Sequence, residues 1–162
     1  MSREAASREV ILATCALMLV TGPVAAAWNS DTAPSTRDQA RESRSLKAVC
    51  ARCHNLQMVM DTPMSYDAWH DTVQTMMDRG ATGTDQQFAD VMDYLHRTMT
   101  TIDVNTADAD DLQIVLHVPE AAAQAILARR STQKFISLAD LESVPGVDAS
   151  TLEAKARLIF FK

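Results

Sequence analysis

The stretch VCARCHNLQM, from Val49 to Met58, sets Cys50, Cys53 and His54 within five residues of one another in a chain that holds only three cysteines. C-x-x-C-H is the covalent attachment signature of a c-type haem. Cysteines three apart on a helical turn put both sulfurs within reach of the two vinyl groups of one porphyrin, and the next residue brings an imidazole under the iron. Two other chemistries use the same residue types. A structural zinc site needs four ligands, and after these three only His70, His96, His117 or a carboxylate remains to complete one. A disulfide has no use for His54 and, when redox-active, normally sits at a strand–helix junction. Haem is the chemistry this order fits.

The elements that must hold the triplet are helical by composition. The chain of 162 residues is 47% apolar, with only 4 Gly, 2 Tyr and 2 Trp; strands draw on aromatic and β-branched residues, helices on Ala, Leu and Met. An all-α fold follows. Residues 1–27 carry Arg3 and Arg8, an apolar run from Val10 to Val20, and small residues ending in Ala25, Ala26 and Ala27. This is the layout of a secretory signal peptide cleaved before Trp28, and the run is short for a membrane span. The expected location is therefore periplasmic, with an uncleaved anchor as the alternative. Removing the segment takes away Cys15 and leaves the net charge of −6 unchanged, because two arginines and two glutamates leave together.

Residues 28–43 are polar, contain Pro34 and show no apolar period, and read as a flexible tether. A haem-bearing unit over residues 44–100 would then hold three helices. The first carries Leu46, Val49 and Cys50; the second runs from Ser65 to Arg79 and stops at Gly80; the third opens on the capping box Thr84 to Gln87 and carries Phe88, Val91, Met92, Leu95 and Met99. A unit of about 60 residues is marginal on its core alone, and a cofactor commonly makes up the deficit. In residues 101–162 the pattern helix, tight turn, helix occurs twice. Thr106 and Pro119 open the first pair, Ser137 opens the second, and a last helix follows VPGVD with Leu152, Ala156 and Ile159.

From CARCH through YDAWHDTVQTMMDRGA to FADVMDYL, the chain resembles the small single-haem cytochrome c domains that serve as partner subunits of periplasmic dehydrogenases such as sulfite dehydrogenase. It also resembles the haem domain of quinohaemoprotein amine dehydrogenase. The matching residues are Trp69, Val73, Met76, Gly80 and Ala81, then Tyr94 and Leu95. The resemblance implies one covalent haem c, with His54 as proximal and Met76 as distal iron ligand; Met77, His70 and Met64 are the alternatives to Met76. Methionine opposite histidine raises the iron potential into a range suited to taking electrons from a dehydrogenase. Seven of the nine methionines lie between Met58 and Met99, where a methionine also serves as a core filler. Trp69, Phe88 and Leu95 are expected as haem-pocket walls, and His70 and His96 as exposed helix residues.

The second half, VNTADADDLQIVL followed by AAQAILARR and FISLADLESVPGV, resembles the tandem helix-hairpin-helix domain of the competence DNA receptor and of an extrinsic photosystem subunit. In DNA-binding members the hairpins are G-x-G turns whose backbone amides hold a phosphate. Here the first hairpin, HVPE, has no glycine and has Pro119, and the second, PGVD, has Asp148 where the second glycine belongs. Nine acids face six bases in residues 101–162, the wrong sign for phosphate. Arg129, Arg130 and Lys134 form a small basic cluster at a helix C-terminus, where they complement its dipole. The expectation is a periplasmic electron carrier, not an enzyme, docked to a redox protein partner by its second half. With both axial positions filled, the iron has no open site. An envelope DNA-binding protein with a redox-sensing haem is the alternative.

Overall fold

The computed structural model describes residues 34–162; the signal segment, Cys15 and the first part of the expected tether lie outside the described residues. Helix α1 spans Thr36–Cys50, α2 Leu56–Met60, α3 Tyr66–Asp78 and α4 Asp85–Met99. Strand β1 (Ile102–Asp103) leads to α5 (Ala109–Leu116) and α6 (Glu120–Arg130), then α7 (Leu138–Glu142) and α8 (Ala149–Ala154), and the chain closes through a 3-10 turn into β2 (Ile159–Phe160). Among the described residues no helix is long and apolar enough to cross a membrane.

Residues 36–43, read as tether, are instead the first two turns of α1. Ser35 Oγ accepts from the Asp38 amide while the Asp38 carboxylate accepts from the Ser35 amide, a capping box that starts the helix early. The missing apolar period has a physical cause, for α1 buries Glu42 and Ser45 beside Leu46 and Val49. These polar groups meet partners on α4. Asp90, 1% exposed, accepts from Arg41 Nε at 3.0 Å, from Ser45 Oγ at 2.8 Å and from Gln86 Nε2 at 2.9 Å. Arg97 pairs with Glu42 in the same interface. Buried charge is tolerated only when so paired.

The first unit has four helices rather than three, because Asn55 caps the short α2 through the Gln57 amide. Thr84 with Gln87 boxes α4, as the sequence foretells, while Ser65 is the cap of α3 rather than its first residue. Gly80, at φ 96°, ends the α3 region in a backbone conformation that a side chain would resist. Leu46, Val49, Trp69, Val91, Leu95 and Met99 form this unit's core.

The second unit has its own core, built on Leu112, Val115, Ala123, Ile126, Phe135, Leu141 and Leu152. Two helix pairs, α5 with α6 and α7 with α8, supply it. Three details differ from the sequence reading. Asp108 rather than Thr106 caps α5, accepting from the Asp111 amide at 2.8 Å. Helix α8 stops at Ala154, and Ala156 lies in the 3-10 turn. Ile159 sits in β2, paired in parallel with Ile102, so a two-stranded ladder ties the start of the module to its end and the fold is mainly, not purely, α-helical.

Candidate functional site

Between the end of α1, α2, α3 and α4 lies an open cleft of about 220 Å³ with an almost wholly apolar lining. Cys50 at the end of α1 and His54 in the turn after it border the cleft, with Met58 from α2, Met64 from the loop that follows, Trp69, Val73 and Met76 along one face of α3, and Leu95 from α4. The α3 residues share that face because positions four and seven apart are neighbours on a helix. Trp69 is buried, and its Nε1 donates to Met99 O at 3.2 Å, which fixes the plane of the indole against the cleft.

Four of the five residues expected to bind a cofactor thus meet at one cleft: Cys50, His54, Trp69 and Met76. The fifth, Cys53, is exposed in the turn that follows α1 and does not line it. Both thiols are free, and burial pushes the Cys50 thiol up. His54 is half-buried; its Nδ1 lies 3.5 Å from Asn55 O. A proton on that nitrogen leaves Nε2 as the free ligand atom. Among the alternatives to Met76, Met64 lines the cleft, whereas Met77 is 39% exposed and, like the solvent-facing His70, lies outside the lining.

Two sequence expectations do not hold here. Phe88 is not a wall of the cleft; it packs beside Gly83, where an added Cβ would come within 3.2 Å of its ring and 3.1 Å of Val49. His96 is not an exposed helix residue, since its Nε2 lies 2.8 Å from Asp111 Oδ1 and its ring stacks 4.3 Å from Tyr66. That acid is fifteen residues away in sequence, so nothing local announces the pair. Among the described residues no three His, Cys, Asp or Glu side chains gather as a metal would need, so the described side chains do not assemble the four-ligand zinc arrangement. A thioether lies outside that tally. An apolar cleft edged by a cysteine sulfur, an imidazole and thioethers offers donors of the kinds a c-type haem uses, and in that respect the residues fit the group, with the second cysteine, Cys53, outside the lining.

The two hairpins of the second unit prove equivalent residue by residue. His117 at φ 55° and Gly146 at φ 88° take the left-handed position of their turns, and Pro119 and Asp148, each two residues on, are the N-caps of α6 and α8. His117 therefore stands where a glycine is otherwise easiest. At the first helix start Pro119 has no amide proton to offer. At the second, the Asp148 carboxylate accepts from the Thr151 amide at 2.8 Å, and from the Ser150 and Thr151 hydroxyls. Those bonds hold it below the usual carboxylate range. An anion already fills the place a phosphate would take.

The basic cluster is also committed elsewhere. Arg129 pairs with Asp140, donates to Asp140 O at 2.9 Å and lies 4.7 Å over the Phe135 ring. Arg130 donates to Val104 O and Ala107 O, and Lys134 to Lys162 O. These side chains bond to chain segments far beyond their own helix, a role that the dipole argument from sequence did not reach.

A tandem arrangement of two helix-hairpin-helix pairs defines the class of the second unit. The family model described as the helix-hairpin-helix motif matches residues 98–159, starting at the end of α4 and finishing on β2. Modules of this class bind nucleic acid or other proteins. No curated protein and no solved structure matches the chain.

Proposed function

We propose that the protein is an exported single-haem c-type cytochrome that carries one electron at a time and docks to a redox protein, such as a periplasmic dehydrogenase, through its helix-hairpin-helix module. One observation carries the reading: Cys50 and His54 of the attachment motif converge with Met76 on the same apolar cleft. Cys50 and Cys53 would tether the porphyrin through thioether bonds, with Cys53 turning in from the exposed turn after α1. His54 Nε2 and Met76 Sδ would hold the iron. Trp69, Val73 and Leu95 exclude water from the cleft, which favours the less charged redox state and raises the potential. Bound haem supplies reversible one-electron chemistry at its iron. With His54 and Met76 both holding the iron, no place would remain for oxygen or peroxide, and the protein would transfer electrons without transforming a substrate.

Docking to protein is favoured over DNA by the second unit's own residues. Pro119 removes an amide that a phosphate would use, Asp148 blocks the other helix start, and Arg129, Arg130 and Lys134 are bonded to other parts of the chain.

The test is expression in a host able to attach c-type haem. The expected result is a coloured protein whose mass has risen by one haem that survives denaturation, and Cys50→Ser with Cys53→Ser should abolish it. Colourless protein of unchanged mass from a host that matures a control cytochrome overturns the reading.

A further inference from the structure

The inner wall of the cleft is bonded to a segment that the second unit holds from behind. Met64, which lines the cleft, donates from its amide to Met99 O at 3.3 Å and accepts at its carbonyl from the Thr101 amide at 2.8 Å. Trp69, on the same wall, also donates to Met99 O. The wall therefore hangs on residues 99–101, the link between α4 and β1. On the far side of this link stands the C-terminal end of the chain. Lys155, just past α8, donates its Nζ to Arg97 O at 2.7 Å and to Val115 O at 2.6 Å, and lies 3.1 Å from His117 Nε2. Arg157 Nη2 sits 3.6 Å from Met99 Sδ, and β2 pairs Ile159 with Ile102. One lysine thus joins the last turns of α4 and α5, and Arg157, two residues on, touches the methionine whose carbonyl holds Trp69.

We propose that the helix-hairpin-helix module completes the cofactor cleft: Lys155 and Arg157 are positioning residues that, through residues 97–101, set where Trp69 and Met64 stand. The haem readouts below rest on the cytochrome reading; the backbone readout does not. A partner seated on the module would reach the haem surroundings along this route, which gives a docking domain a means of adjusting the electron carrier it delivers.

Lys155→Met keeps the aliphatic stem and removes the donor. In the full-length protein, amide hydrogen exchange at Met64 and Thr101 should quicken by about tenfold, the scale of one lost buried hydrogen bond. In the haem-loaded protein the midpoint potential should shift. Lys155→Arg should restore both in part, and Glu153→Gln, exposed on α8, should leave both unchanged. Unaltered exchange at these two amides in Lys155→Met overturns the proposal, as does an altered exchange with an unmoved potential. Should Lys155→Met fail to fold, Arg157→Gln removes only the contact to Met99 Sδ, and there too unaltered exchange overturns it. Protein that takes up no haem defeats the cytochrome reading, and the exchange measurement still decides whether the module braces the wall.

Discussion

Met76 and Met77 are adjacent in sequence and separated by the cleft's edge, which makes them the sharpest pair at the scale of single residues. In the haem-loaded protein, Met76→Ala should abolish the sulfur-to-iron charge-transfer absorption and lower the midpoint potential, because a thioether ligand favours the reduced iron. Met77→Ala should change neither, as potentiometry and visible spectra would record. Persistence of the band in Met76→Ala would pass the role to Met64, which shares the lining. His117 carries the clearest pH dependence. Burial, with the charges of Lys155 and Arg97, pulls its pKa down to about 4 from 6.5. Between those values the unfolded chain binds more protons than the folded one, so stability rises with pH across the window and is lost as pH falls through it. Thermal melts should show Tm dropping from pH 7 to pH 5, and His117→Asn, whose side chain tolerates the left-handed turn, should flatten that drop.

Helix α1 shows at the scale of elements how a polar face can be a core face. Burial raises the Asp90 carboxyl, but the bonds from Gln86, Ser45 and Arg41 outweigh it and hold its pKa below the ordinary value. Removing that acceptor leaves three donors facing one another. Asp90→Ala should cost about 3 kcal/mol, the scale of breaking a buried ion pair, readable by urea unfolding. Asp90→Asn should cost less because it keeps one acceptor. In the hairpins, Gly146→Ala should cost about 1–2 kcal/mol for a left-handed alanine, readable by the same urea unfolding. Helix starts with a capping side chain just ahead, such as Thr84 and Ser137, were readable directly, since a cap is a local event. The start of α1 was not, because its apolar period is broken by Glu42 and Ser45, whose partners lie 45 or more residues away.

For the whole molecule, the balance of charge and the hairpin chemistry favour the proposed protein partner over DNA. The full-length protein should give no salt-dependent binding to duplex DNA in fluorescence anisotropy at physiological ionic strength; a clear signal that fades as salt rises would restore the nucleic-acid reading. The two units are not beads on a linker either. Lys155, Arg157 and the His96–Asp111 pair cross between them, and the matched module begins at residue 98, within α4. A boundary drawn after residue 100 cuts through that shared segment, which explains why composition alone placed it plausibly yet missed the bonds across it.

The amino-acid sequence by itself determined what depends on neighbours along the chain: the C-x-x-C-H spacing, the caps of α4 and α7, and the doubled helix-turn-helix pattern with its altered hairpin residues. Tertiary structure decided what depends on distant segments. It chose which methionines face the cleft, turned the expected tether into a buried helix, committed Arg129, Arg130 and Lys134 to the fold, and closed β1 on β2. Hydrogen bonds and burial between residues far apart in sequence leave no local period to read, so only the folded chain displays them.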